Sequence, residues 1–239
     1  MFYRVSSNFF GRTLSFVTNS KYIADFMVLE LKNSSVVTDA SLTSNDHAYI
    51  EKVIVNAQIG QAIVPEQTLE GTINYYGRNI PYLQITTFDN MQPIRVFLNS
   101  VASKFLNDIC IPIHASTVLS KKGVIAFMGD KNSGKTTLTI SNVLWKDCSL
   151  VSDDITFVGT DSKGRVICDG LFNGVHVFEG EKYIYKNKLF MGEHEPHEFI
   201  KNRMTFKNEY VTQEPCVLRM LILPTIREEG AHKTIQITK

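Results

Sequence analysis

The chain has few cysteines and no long apolar run. Its four cysteines (Cys110, Cys148, Cys168 and Cys216) are far apart, and none of them forms a C-x-x-C pair. We therefore expect packed free thiols and neither a disulfide framework nor a zinc site. The longest apolar stretches are strand-sized, well below the ~18–20 residues that cross a bilayer, and the first residues lack the apolar region of a signal peptide. These absences predict a cytoplasmic protein with no membrane segment.

An excess of charge of either sign is also absent. Lys and Arg number 25 against 24 Asp and Glu, which leaves a net charge of +1. This balance weighs against a protein that coats nucleic acid or anionic lipid. The 239 residues are 44% hydrophobic, an ordinary globular mixture that excludes disorder as the main state. Length alone predicts one or two domains.

Residues 1–91 are typical of a β-rich N-terminal domain. Short β-branched and aromatic runs alternate with Asn, Gly and Pro, which predicts an antiparallel sheet. The predicted strands cover residues 9–17, 27–31, 52–62, 71–73 and 82–85. Nothing in this part of the chain indicates a chemistry.

The hydrophobic period changes after residue 91. Residues 94–109 have apolar side chains at the spacing of an amphipathic helix, and two strands are predicted at 111–119 and 124–128. We place a second domain at residues 92–239.

The strongest motif is GDKNSGKT at residues 129–136, which fits the phosphate-loop pattern G-x-x-x-x-G-K-[ST]. An apolar strand precedes the loop and a helical pattern follows it, as this motif requires. Its backbone N–H groups and Lys135 would hold the phosphates of ATP, and the Thr136 hydroxyl would ligate Mg²⁺. The predicted nucleotide-binding residues are Gly129, Asp130, Lys131, Asn132, Ser133, Gly134, Lys135, Thr136 and Thr137.

Two adjacent carboxylates, Asp153 and Asp154, follow the predicted helix in the run SLVSDDITFV. Buried acids need cations or hydrogen-bond donors. Alternation along the strand sends the two side chains to opposite sides, so we expect them to have different tasks. One would hold Mg²⁺ and the other would accept a proton from a substrate hydroxyl. The run then turns back as a predicted hairpin through residues 160–164, where an ordinary nucleotide-hydrolysing P-loop domain would continue with a crossover helix.

Residues 114–158 resemble the catalytic domain of HPr kinase/phosphorylase and its smaller relatives, a fold shared more distantly with ATP-dependent phosphoenolpyruvate carboxykinases. The resemblance is carried by HASTV at residues 114–118, the phosphate loop and the SDDITFV segment. VLRMLIL at 217–223 also looks like the late core strand of these proteins. The resemblance implies an α/β fold, with a P-loop mixed-sheet kinase domain behind the β-rich N-terminal domain.

The resemblance also implies the site. Asp153 matches the catalytic carboxylate that accepts the hydroxyl proton, Asp154 matches its neighbour at the metal, and His114 matches a histidine beside the site. Lys135 completes the catalytic set. The Glu-x-Arg-Gly stretch of true HPr kinases is missing from residues 169–176, and so is the late glycine- and arginine-rich loop tied to phosphorylase activity. These departures weigh against HPr as substrate and against phosphorolysis.

We therefore expect a Mg²⁺- and ATP-dependent kinase that transfers the γ-phosphoryl group to Ser or Thr of a peptide or protein. A small-molecule hydroxyl kinase and a nucleotide-binding module without transfer stay open, as does a homo-oligomer.

Two further segments are interpreted more simply. Residues 193–198, EHEPHE, are expected to be a solvated loop, not a metal site, because Pro196 disrupts a helix. Residues 179–209 could form a lid, with Arg203 and Lys207 either near the phosphoryl group or simply at the surface.

Overall fold

The computed structural model describes residues 1–38, 41–43, 45–52, 68–75, 78–85, 91–178, 190–197 and 201–224. The first part of the chain folds around one sheet and two helices. Its elements are β1 (Tyr3–Phe9), β2 (Arg12–Thr18), α1 (Lys21–Glu30), β3 (Ser34–Thr38), β4 (Ala48–Lys52), β5 (Thr68–Tyr75), β6 (Arg78–Ile85) and α2 (Gln92–Phe105). The predicted strand at 52–62 lies, beyond Lys52, outside the described residues.

The N-terminal sheet has the strand order β3-β1-β2-β4-β6-β5. The β5–β6 hairpin is antiparallel, as predicted, and so is β1–β2, whose turn at Phe10 and Gly11 interrupts the single strand predicted at residues 9–17. The pairs β2–β4 and β4–β6 are parallel. The expectation of a purely antiparallel sheet is therefore wrong. The physical reason is the connection: α1 and β3 intervene between β2 and β4, so the chain re-enters the sheet in the same direction.

The predicted strand at residues 27–31 is also wrong, because most of it lies in α1. Ser20 caps this helix by accepting a hydrogen bond from the Ile23 N–H, 3.5 Å away. Ile23, Met27 and Glu30 are fully buried at helical spacing. A local run of apolar residues fits both structures, and burial against the sheet decides for the helix.

Helix α2 is shorter than predicted and packs with the N-terminal sheet. It ends at Phe105 where the prediction extended it to residue 109. One apolar core includes Leu98 of α2 and Phe16 of β2, and it continues to Phe157 and Phe172 in the second part of the chain. The domain boundary near residue 91 stays a prediction.

The second part is built mainly of strands. Its elements are β7 (Cys110–Ser120), β8 (Gly123–Met128), α3 (Lys135–Trp145), β9 (Ser149–Ser152), β10 (Ile155–Thr160), β11 (Val166–Asp169), β12 (Gly174–Phe178), β13 (Phe190–His197), β14 (Lys201–Phe206), a 3-10 helix (Asn208–Tyr210) and β15 (Cys216–Ile222). The predicted β10–β11 hairpin, the strand before the phosphate loop and the helix after it are all present.

Five of these strands close into a small barrel. The order β10-β11-β15-β8-β7 closes through a β10–β7 pairing, and β9 adds to β7. The late strand β15 pairs in parallel with β8 and antiparallel with β11. Helix α3 packs against β7, β8, β9 and β12. This packing fixes the phosphate loop, between β8 and α3, close to the end of β9.

Strands β12, β14 and β13 form a separate antiparallel sheet. The prediction of a solvated loop at residues 193–198 is wrong for residues 193–197, because these residues belong to β13. Pro196 is tolerated there since β13 is an edge strand with two register shifts. In the part of the chain that the structure describes, none of the helices has the length and apolar character of a bilayer-crossing segment.

Candidate functional site

The phosphate loop is a tight turn between β8 and α3. Gly129, Asn132 and Gly134 have φ angles of 152°, 67° and 88°, a region that side chains other than Gly and Asn seldom adopt. A Cβ added to Gly129 would lie 2.9 Å from the Ser133 Oγ. Glycine at 129 therefore lets the loop fold back on itself.

Lys135 folds back over this loop. Its side chain is buried, and its Nζ donates hydrogen bonds to the carbonyls of Gly129 and Asp130, each 2.8 Å away. The N-cap of α3 is Gly134, which has no side chain to bond the first N–H groups of the helix. These donors and the Lys135 ammonium make this end of α3 a site suited to an anion. Lys131 and Thr137 are exposed at its edge.

Asp153 is buried at the end of β9, with 8% of its surface exposed. Its Oδ1 accepts hydrogen bonds from the Ser116 hydroxyl and from the Thr136 hydroxyl, the latter at 3.0 Å. Its Oδ2 lies 3.4 Å from the backbone N–H of His176. Donors from β7, α3 and β12 thus hold one carboxylate beside the phosphate loop.

Asp154 has a different environment. Its side chain is 48% exposed, and its Oδ2 lies 3.0 Å from Nδ1 of His176, whose side chain is 11% exposed. Its φ of 65° breaks the extended conformation between β9 and β10. The expectation that strand alternation sends the two carboxylates to opposite sides is therefore wrong. One ligand atom from each of Asp153, Asp154 and His176 lies within 4.8 Å of the others.

The structure leaves the predicted histidine at the edge of this cluster. His114 is exposed on β7, in register with Ile155. Ser116, two residues further along the same strand, is the residue that reaches Asp153. Arg203 lies opposite His176 in the β12–β14 register, and Lys207 precedes the 3-10 helix. Residues 179–189 and 198–200 of the predicted lid lie outside the described residues.

Sequence reasoning did not assign Ser116 or His176 to the site. His176 offered a weak signal, because it is the one polar side chain in the apolar strand GVHVF. Ser116 stood inside the HASTV motif but carried no expected role. The places of both residues in the site depend on strand pairings between distant segments, which a local sequence pattern cannot predict.

The oxygen donors fit a magnesium ion. Thr136 Oγ1 and Asp153 Oδ1 are adjacent hard ligands at the start of α3, the kind that Mg²⁺ prefers. The sequence paired Thr136 with Asp154 as metal ligands, whereas the hydrogen bond of Thr136 goes to Asp153.

Comparison of the chain with protein-family models and with curated proteins gives no match.

Proposed function

We propose that the protein is a Mg²⁺-dependent kinase that transfers the γ-phosphoryl group of ATP to a hydroxyl. The observation that carries the proposal is the convergence of three features. The Gly129–Gly134 loop, the buried Lys135 side chain and the Asp153–Asp154 pair are joined through the 3.0 Å hydrogen bond between Thr136 and Asp153. The barrel with α3 would then be the HPr kinase-type catalytic unit that the resemblance implies.

The loop and Lys135 would bind the phosphates. The Lys135 ammonium, now bonded to two loop carbonyls, would exchange these partners for β- and γ-phosphate oxygens. The first N–H groups of α3 would add donors and the positive end of the helix.

Thr136 and Asp153 would hold the metal. When bound, Mg²⁺ neutralises charge that develops on the phosphate oxygens. Ser116 would keep the Asp153 carboxylate turned toward Thr136. This assignment reverses the order that the resemblance implies for the two acids, because Thr136 is bonded to Asp153 and not to Asp154.

Asp154 would then face the acceptor. It is the more exposed of the two carboxylates, and His176 fixes its orientation through Oδ2. A carboxylate at this position is suited to accept the proton of a substrate hydroxyl. Ser or Thr of a peptide or protein is the acceptor class we propose, on the resemblance alone, with a small hydroxyl-bearing molecule as the alternative.

Incubation with γ-labelled ATP and Mg²⁺ tests the proposal, with a panel of Ser- and Thr-containing peptides and free serine as acceptors. Label is expected on a hydroxyl, together with an equal amount of ADP, and transfer is expected to stop without Mg²⁺. Label on free serine alone would move the assignment to a small-molecule kinase. Tight Mg-ATP binding without transfer to any acceptor would favour a nucleotide-binding module, and no ATP binding would contradict the proposal.

A further inference from the structure

A lysine from the N-terminal part of the chain is buried against β9, the strand that leads to Asp153. Lys32 follows α1, and only 1% of its side chain is exposed. Its ammonium donates hydrogen bonds to the carbonyl of Val151 and to Asp169 Oδ1, the latter at 2.9 Å, and lies 3.5 Å from Thr212 Oγ1. All three partners lie more than a hundred residues further along the sequence.

A buried charge of this kind is an expensive way to fill a core. Removing an ammonium from water is unfavourable, and well-packed apolar residues often replace a buried ion pair without loss of stability. The feature that an apolar side chain cannot reproduce is the hydrogen bond to the Val151 carbonyl. Lys32 therefore fixes a particular segment of backbone in addition to filling space.

That segment leads directly to the candidate site. Val151 belongs to β9, and Asp153 follows two residues later. Asp169, the ionic partner of Lys32, also accepts the Gly170 N–H at 2.8 Å. A Cβ added to Gly170 would lie 2.5 Å from the Ser152 Cβ, so the backbone at Gly170 packs directly on β9.

The same end of α1 also holds the strand that carries His176. The backbone N–H of Asn173 donates to the Glu30 carbonyl at 3.0 Å, and the Asn173 side-chain amide donates to the Leu29 carbonyl at 2.8 Å. Asn173 immediately precedes β12. Two strands that meet at Asp153 and His176 are thus anchored to one helix terminus.

We infer that Lys32 is a positioning residue for the phosphate site: through the Val151 carbonyl it holds β9 so that Asp153 stays in contact with Thr136. The inference rests on the proposed function, and it gives the N-terminal part of the chain a role in the catalytic geometry. It predicts that loss of the lysine weakens the metal-dependent part of nucleotide binding more than the metal-independent part.

The test is the double variant Lys32→Met/Asp169→Asn. It removes both charges, so no unpaired ion is left buried, and the Asn oxygen can still accept the Gly170 N–H. The matched control is Arg4→Met/Asp46→Asn, which removes another ion pair with a buried carboxylate, 2.7 Å between Arg4 Nε and Asp46 Oδ1, within the N-terminal part of the chain. Calorimetry would give the dissociation constant of ATP with and without Mg²⁺. Hydrogen exchange of ligand-free protein would follow the amides of residues 149–155.

In the Lys32 double variant, the affinity gained from Mg²⁺ should fall about tenfold, as when a residue supporting a metal ligand is removed. Affinity without Mg²⁺ should stay unchanged, and β9 amides should exchange faster. A merely destabilised protein would have a smaller fraction of active sites, but the ratio of its ATP dissociation constants without and with Mg²⁺ would not change. The control variant should change neither quantity. A folded double variant with the wild-type ratio and wild-type exchange would overturn the inference.

The second variant, Lys32→Gln/Asp169→Asn, covers the case in which the first does not fold. The glutamine amide can still donate a hydrogen bond, although the side chain is one atom shorter than lysine. We therefore expect the affinity gained from Mg²⁺ to fall less than in the methionine variant. A fall as large as in a folded methionine variant, or no fall at all, would count against the inference. If wild-type protein binds no ATP, the proposed function fails, and the exchange of β9 still decides whether Lys32 holds this strand.

Discussion

The hydroxyl of Thr136 lies 3.0 Å from Oδ1 of Asp153 and joins the first turn of α3 to the end of β9. The neighbouring acid, Asp154, has its Oδ2 3.0 Å from Nδ1 of His176. Two adjacent residues in the sequence therefore have different hydrogen-bond partners within one cluster. The proposed function gives Asp153 the metal and Asp154 the acceptor, and each proposed role can be tested separately.

Replacement of Asp154 by Asn should reduce phosphoryl transfer with little effect on nucleotide binding. The substitution keeps the shape of the side chain but removes its ability to accept a proton, a loss that typically costs 10²–10⁴-fold in rate, so a fall of about a thousandfold is expected. The dissociation constant of Mg-ATP should change less than about twofold, because the Asp154 carboxylate is bonded to His176 of β12 and the phosphates are assigned to the loop and Lys135. Initial rates and calorimetry on the same preparation give both numbers. Unchanged transfer would contradict the role assigned to Asp154.

Asp153→Asn should give the opposite pattern in binding. Asp153 accepts hydrogen bonds from Ser116 and Thr136, and an amide oxygen is a weaker ligand for Mg²⁺ than a carboxylate. We expect the affinity gained from Mg²⁺ to fall about tenfold or more, while ATP binds as before without the metal. If the two variants show exchanged patterns, the acids have the roles implied by the resemblance.

Lys135→Met should weaken binding of ATP by about 10–100-fold, the usual value of one or two hydrogen bonds to a charged group. The loss should be specific to the phosphates, because Lys135 lies over the loop carbonyls of Gly129 and Asp130. Adenosine provides the control, and its affinity should not change. An equal loss for adenosine and ATP would indicate that the substitution has disrupted the fold of the loop.

The phosphate loop and its flanking elements could be predicted because they depend on contiguous residues. An apolar run gives β8, glycines permit the turn, and α3 begins directly after Gly134. The β10–β11 hairpin is local in the same sense, since its turn residues lie between its two strands.

The remaining features depend on contacts between distant segments. Helix α1 was missed because residues 27–31 suit a strand equally well, and burial of one helix face against β1, β2 and β3 decides between the two. The position of Asp154 follows from one backbone angle, and the role of His176 follows from the packing of β12. Lys32 gave no signal at all, because a single lysine in sequence is expected at the surface.

The stability of the protein should decrease when the pH falls below about 6.5, partly because of His47. Burial lowers the pKa of His47, and the nearby Arg78 lowers it further. Protonation of this histidine is therefore easier in the unfolded chain than in the folded protein. The unfolded state binds the extra proton as the pH falls through its ordinary value, so stability that is complete above neutral pH is lost toward acid.

Urea unfolding of wild-type protein at pH 5, 6, 7 and 8 checks this sign. His47→Gln is the comparison, because its amide oxygen can replace Nδ1 as the acceptor of the Ser15 N–H, 3.0 Å away. The variant should lose less stability than wild type between pH 7 and pH 5. A parallel decrease in both proteins would assign the effect to other groups.

The cysteines should react slowly in the folded protein, and in a definite order. All four are free, as the sequence predicted, and three are buried. Burial raises the pKa of Cys168 to about 12 and that of Cys110 to about 11, and it also raises the pKa of Cys148 and Cys216. Because the thiolate is the reactive form, Cys168 should be alkylated on the order of a thousandfold more slowly than a free cysteine at neutral pH. Cys216, which is only partly buried, should react first. Mass spectrometry after timed treatment with iodoacetamide gives the order of labelling. Protein unfolded in urea is the control, in which all four cysteines should react alike. Rapid labelling of Cys168 in the native protein would show that the barrel opens around it.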